Sequence, residues 1–107
     1  MRKKSQRKKH NKLVRDKIPQ LVRRQGGLPI IRIADEAEYW KKLKEKLLEE
    51  VQEFNASEAG EELADILEVI DAITDYKGFT KQAVQGLKRD KLRRRGGFTK
   101  RIILIES

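Results

Sequence analysis

Two segments with helical apolar spacing, separated by a short polar break, constrain this chain most. Trp40, Leu43, Leu47, Val51 and Phe54 recur at steps of three and four, the spacing at which side chains share one face of an α-helix. The pattern resumes after Asn55 and Ser57 with Leu63, Ile66, Leu67, Ile70 and Ile73. Stripes this close in sequence bury one another most simply as two packed helices joined by a tight turn. Asp35 followed by Glu38 has the form of a capping box and predicts the start of the first long helix. Asn55 or Ser57 is expected to cap the second, and Gly78 to end it.

Shorter elements flank this pair. Pro19 suits the first turn of a short helix over 20–25, which Gly26 and Gly27 end. Thr80 is expected to cap a further helix carrying Ala83, Val84, Leu87 and Leu92. Lys91, Arg93, Arg94 and Arg95 fill its last turns, where cations suit the helix dipole. Residues 29–33 and 102–105 are isoleucine-rich and read as short strands that could pair outside the helical core. The expected class is all-α, with one short peripheral β pair, about 29–33 with 102–105.

Acidic residues line the two stripes. Glu50 and Glu53 form one i, i+3 pair, and Glu62 and Asp65 form another, with Glu49 and Glu61 just before them. Residues three apart on a helix lie on one side, with Cβ atoms about 5–6 Å apart, and like charges so placed repel. At helical spacing Glu50 and Glu53 fall to one side of the first stripe, with Glu45 and Glu49 further toward solvent. Glu is common on helix surfaces, so one reading is a helix pair with acidic outer faces. The other is a cation site, since four carboxylates at one place are stabilised by a hard divalent ion with oxygen ligands. A di-iron bundle would use Glu-x-x-His motifs, yet His10, in the basic tail, is the single histidine. An all-carboxylate set suits Mg²⁺ or Mn²⁺ better than zinc or copper. Mg²⁺ is usually shared between a few carboxylates, waters and phosphate oxygens, so a phosphate ester or nucleotide is the implied substrate.

Charge is unevenly distributed. The chain carries +9 in all, and Arg2, Lys3, Lys4, Arg7, Lys8 and Lys9 supply +6, leaving +3 for residues 12–107. Between Glu45 and Asp75 eleven acids meet one base, Lys46, whereas from Lys88 to Arg101 eight bases meet Asp90. These blocks suit either solvated helix faces of complementary charge or a metal site facing a phosphate-binding wall. Residues 1–11 are expected to form a flexible basic tail, and 12–107 a single domain. The tail could bind nucleic acid through residues 1–10 by phosphate neutralisation, although no helix-turn-helix or aromatic-interleaved RNA motif accompanies it. The chain has no cysteine, which excludes disulfides, zinc–thiolate sites and thiol nucleophiles. No apolar run nears the roughly 18 residues of a membrane span, and no apolar stretch follows the basic N-terminus as in a secretory signal. The expected compartment is the cytoplasm.

The motifs also carry a family resemblance. Glu49-Glu50-Val51-Gln52-Glu53 followed by Glu62-Leu63-Ala64-Asp65 resembles the Glu-Glu-x-x-Glu and Glu-x-x-Asp signature of the MazG-like all-α nucleoside triphosphate pyrophosphohydrolases. Asn11-Lys12-Leu13-Val14-Arg15-Asp16-Lys17-Ile18-Pro19 and Arg95-Gly96-Gly97-Phe98 through Arg101-Ile102 resemble the opening and closing segments of its phosphoribosyl-ATP pyrophosphohydrolase-like, house-cleaning branch. The likeness covers roughly residues 11–106. It implies a helical bundle assembled as a homodimer or homotetramer, and Mg²⁺-dependent cleavage of a nucleoside triphosphate, standard or not, to monophosphate and pyrophosphate. Carried over by motif position, Glu50, Glu53, Glu62 and Asp65 would ligate the metal. Glu49 would orient the site or assist a water, which with Glu50 and Glu53 completes the expected catalytic set. The eight residues between the carboxylate pairs are fewer than in many MazG-like proteins but still allow a tight helix–helix turn. The basic tail lies outside the resemblance.

Arg15 and Lys17, in the opening segment, are candidates to hold triphosphate oxygens. Lys88 and Lys91, with Arg95, recur near helical spacing and are candidates for the same role, Arg through bidentate contacts and Lys as a point charge. The alternative is surface solubility and helix-end charge. Trp40 could stack on a base, but its place in the apolar stripe suits core packing. An alternative to the enzyme is a basic-tailed nucleic-acid-binding module, or a catalytically silent interaction module.

Overall fold

The computed structural model describes residues 8–107, and these form four helices: α1 (Ile18–Arg24), α2 (Glu36–Ser57), α3 (Gly60–Tyr76) and α4 (Lys81–Arg95). The chain is all-α. The seven residues that hold most of the basic tail lie outside the described part. Among the described residues, no helix is long and apolar enough to cross a membrane.

The fold is organised by the α2–α3 hairpin, its principal helix packing. At the start of α2 the Asp35 carboxylate accepts a hydrogen bond from the Glu38 backbone N–H at 2.8 Å, as the capping pattern predicts. The reciprocal half of the box does not form, because the Glu38 side chain is taken by the Arg32 guanidinium. α2 runs through both residues expected to break it and ends at Ser57, with Glu58 left-handed at φ 55°. Ala59 then opens α3 without a side-chain cap. Ser57 spends its hydroxyl on the turn itself, accepting from the Ala59 N–H at 3.2 Å. This turn is short enough to lay α3 directly back along α2.

The two ends of the hairpin differ in chemistry. At the open end, Trp40 stacks on Tyr76 with ring centroids 4.9 Å apart and planes 4° apart, and Tyr39 meets Tyr76 edge-on at 5.8 Å. Trp40 is therefore part of the packing, as its stripe position predicts. At the turn end lie the carboxylates. Between them, Leu43 and Val69 are the buried hydrophobic residues of the described chain. Thr74 is also buried, its hydroxyl donating to the Ile70 carbonyl one turn back at 2.8 Å. α4 starts at the Thr80 cap, whose hydroxyl accepts from the Ala83 N–H at 3.0 Å, and touches α3 lightly.

The β pair expected between 29–33 and 102–105 is a correction: the described residues form no strand. Ile30 and Ile33 are 81% and 88% exposed, and Ile102 and Ile105 are 76% and 82% exposed. A lone two-stranded pair is marginal in water unless one face packs on something, and neither arm is packed in that way among the described residues. Isoleucine content was sufficient to suggest strands but not to supply the surface that would hold them.

The chain is drawn out. Its radius of gyration is 19.1 Å, against about 13 Å for a compact domain of this length. Leu48, Leu63, Leu67 and Leu87 remain exposed. Part of the apolar surface of α2, α3 and α4 is thus uncovered by the described residues.

Candidate metal and phosphate site

Antiparallel packing brings the C-terminal half of α2 against the N-terminal half of α3, and this places the two carboxylate pairs together. Carboxylate oxygens of Glu49, Glu50 and Glu53 lie within 4.8 Å of one another, as do those of Glu50, Glu62 and Asp65. Glu50 belongs to both groups. It is only 5% exposed, so it sits within the buried stripe rather than to one side of it as its spacing suggested. Its Oε1 is 3.2 Å from Lys46 Nζ one turn back. Its Oε2 is buried with no hydrogen-bond partner, and so is Glu62 Oε2. A buried carboxylate oxygen without a partner costs about 1–3 kcal/mol or more, so the two orphaned oxygens mark where a cation would stabilise the fold.

The surroundings shift these groups in opposite directions. Burial pushes the Glu62 carboxyl above its ordinary value, and the neighbouring charges of Glu53, Asp65 and Glu50 push the same way. The hydrogen bond from Lys12 holds Glu49 below the usual carboxylate range, with Lys46 assisting. The same hydrogen bond raises Lys12. Lysine thus offsets the charge on the Glu49 side of the cluster, while Glu62 meets mainly like charge.

The cations come from an element that sequence reasoning used only in part. The segment before α1 crosses the hairpin. Asn11 is left-handed at φ 48°, its carbonyl accepts from Lys42 Nζ at 2.8 Å, and its side chain meets Arg32 at 3.5 Å. Lys12 Nζ then reaches Glu49 Oε1 on α2 at 2.8 Å, and Arg15 Nη2 reaches Asp65 Oδ1 on α3 at 2.7 Å. Arg15, a candidate to hold triphosphate oxygens, is thus placed on one of the clustered carboxylates. Lys12 and Lys46 were missed. Lys46 was legible, since it stands four residues before Glu50, a spacing that pairs charges on one helix face. Lys12 had no such signal, because its partner lies thirty-seven residues away.

The remaining candidates are not drawn in. Lys17 stands at the N-cap of α1, and no ion pair of its ammonium is found among the described residues. Lys88 and Lys91 are exposed on α4, a helix that contacts α3 alone, and no hydrogen bond or ion pair joins either to the carboxylates.

The donor set can be tested against a metal. All five clustered side chains offer carboxylate oxygens, with no imidazole or thiolate among them, which fits a hard ion such as Mg²⁺ or Mn²⁺. The partnerless Glu50 and Glu62 oxygens fit it too.

No protein-family model matches the chain, and no solved structure does. An uncharacterized protein of Mycolicibacterium smegmatis is 50% identical over 46 residues, 43% of this chain and 47% of that protein. The matched part thus spans about half the length of this curated relative.

Proposed function

We propose that the chain is a metal-dependent nucleoside triphosphate pyrophosphohydrolase of the MazG-like kind, hydrolysing a triphosphate to monophosphate and pyrophosphate. The observation that carries this reading is the convergence of Glu49, Glu50, Glu53, Glu62 and Asp65 from two helices, with two carboxylate oxygens buried and unpartnered. Glu50, Glu53, Glu62 and Asp65 would hold Mg²⁺, or Mn²⁺ in its place, and the bound ion neutralises phosphate oxygens and favours ionisation of a water. Glu49, less buried than Glu50 and with Lys46 fixed beside it, orients the attacking water. Arg15, beside Asp65, would meet the phosphate chain, and Lys17 follows two residues on at the N-cap of α1. The water adds to phosphorus, the P–O bond to the bridging α–β oxygen breaks, and the electron pair leaves with that oxygen. The freed proton passes to solvent.

Assembly belongs to the same reading. By helical period Glu49 and Glu53 flank the buried α2 stripe on one side, and Leu48 and Val51 on the other. On α3, Asp65 flanks one side, and Leu63, Leu67 and Ile70 the other. The acidic flanks converge, so the apolar flanks share the opposite face, and all five of these residues are exposed. A second copy of the chain covers that face, completing a bundle as a homodimer or a larger homo-oligomer.

The test is a pyrophosphate-release screen across standard and modified nucleoside triphosphates with Mg²⁺ or Mn²⁺. Release that depends on the ion and is abolished by Glu53→Gln and by Asp65→Asn is expected. Full activity in both variants would overturn the site. Absence of release together with salt-sensitive RNA or DNA binding, lost on removal of residues 1–10, would assign the chain to nucleic-acid binding instead.

A further inference from the structure

We infer that Lys12 and Arg15 form a cationic strap that occupies the carboxylate site in the absence of metal and exchanges its partners for phosphate oxygens when a metal polyphosphate binds. This rests on the reading of the carboxylates as a metal site and adds an exchange that links metal and phosphate binding.

Three observations lead to it. The strap pairs with one carboxylate on each helix of the hairpin, Lys12 with Glu49 and Arg15 with Asp65. It leaves the buried Glu50 and Glu62 oxygens between those partners unsatisfied. Both pairs are also substantially open to water, with Lys12 and Arg15 side chains 42% and 54% exposed. Exposed pairs of this kind contribute at most about 1 kcal/mol, so a purely structural role accounts poorly for two cations converging here. Their openness makes them easy to displace.

Charge indicates the direction of exchange. The five carboxylates Glu49, Glu50, Glu53, Glu62 and Asp65 face Lys12, Arg15 and Lys46, leaving two negative charges. A bare divalent ion balances those two charges but competes with Arg15 for Asp65. A metal carrying a polyphosphate brings acceptors of its own. The guanidinium can then leave the carboxylate for a phosphate without losing its hydrogen bonds. Lys46 cannot make the same move, because it is fixed on α2 beside Glu50 at 3.2 Å and is largely covered. The Asn11 contacts to Lys42 and Arg32 anchor the strap at its base, so it pivots rather than detaches.

The exchange predicts opposite effects of one double variant. Lys12→Ala/Arg15→Ala removes competitors of bare metal and also removes phosphate ligands. Titration of the full chain with Mn²⁺ alone, followed by electron paramagnetic resonance, should show tighter binding by about two- to fivefold per residue removed. Titration of the Mg²⁺-loaded chain with inorganic tripolyphosphate, followed by calorimetry, should show binding weakened by about tenfold or more. Arg24→Ala, which removes one exposed cation from the end of α1, controls for net charge and should alter neither titration by more than about 1.5-fold. Circular dichroism checks that each variant keeps its helices.

Unchanged or weaker Mn²⁺ binding in the double variant overturns the strap. So does unchanged tripolyphosphate binding, or an equal response from Arg24→Ala. If the unsubstituted chain binds no Mn²⁺, or binds it equally well with Glu53→Gln, the metal reading itself falls and the strap with it. That result is distinct from a failure of the strap alone.

Discussion

Arg15 on the segment before α1 donates to Asp65 on α3 at 2.7 Å, across fifty residues of sequence. The contact joins two segments that motif resemblance treats separately, and it sets a candidate phosphate ligand on a candidate metal ligand. The candidate site is therefore a shared surface of three elements: the segment before α1, α2 and α3.

Metal should stabilise the chain through the carboxylates. At a free Mg²⁺ concentration one hundred times its dissociation constant, linkage adds about 2.7 kcal/mol, which for a domain this size raises Tm by about 10 °C or more. Glu53→Gln and Asp65→Asn should each lose most of that gain, and a chelator should reverse it in the unsubstituted chain. Differential scanning calorimetry with and without the ion makes the measurement.

The pH dependence of metal-free stability should be governed in part by Glu62. Its carboxyl lies above the ordinary 4.5 when folded, through burial and the charges of Glu53, Asp65 and Glu50. Its contribution to stability is thus present at low pH and is lost as pH rises through that raised value. Glu49 acts oppositely: it is lowered, so its contribution is present above 4.5 and is lost as pH falls through its lowered value. Glu62→Gln should therefore raise Tm near pH 7 in the absence of divalent ions, and the gain should shrink toward zero below about pH 4. Thermal melts across that range read the difference.

The core is thin enough that one side chain should decide whether the hairpin holds. Leu43 is 1% exposed, and a buried Leu→Ala change costs about 2–5 kcal/mol. Total stability of a small domain is only about 5–15 kcal/mol. Leu43→Ala should shift the urea midpoint sharply downward or abolish the cooperative transition, as followed by circular dichroism. Leu48→Ala, at an exposed position, should perturb the hairpin itself far less.

Self-association should respond to a charge on the apolar face. Leu67 is 62% exposed, and in a two-fold assembly each substitution enters the contact twice. Burying a leucine contributes about 1.5–3 kcal/mol, so Leu67→Glu should weaken the proposed dimer by about a hundredfold or more. Sedimentation velocity should show the monomer at concentrations where the unsubstituted chain is paired.

The long helices were legible because their information is local. The apolar steps from Trp40 to Phe54 and from Leu63 to Ile73 encode the faces of α2 and α3, and Asp35 encodes where α2 begins. The carboxylates were legible as candidates for the same reason, since i, i+3 spacing fixes neighbours on one helix. The end of α2 was not. Helical propagation carried it through Asn55 to Ser57, and a left-handed Glu58 made the turn. The strands failed because pairing needs a surface to rest on, which isoleucine content does not specify.

The sequence by itself determined two long helices with facing apolar stripes and acids near them, because helix period converts spacing into direction without reference to distant residues. Only the tertiary structure decided that Glu50 is buried and shared between both acid groups, that Glu50 and Glu62 each keep an oxygen without a partner, and that Lys12 and Arg15 lie over them. Those relations depend on how α3 folds back on α2 and where the strap crosses. Charges thirty-seven and fifty residues apart meet through packing, which no local pattern records.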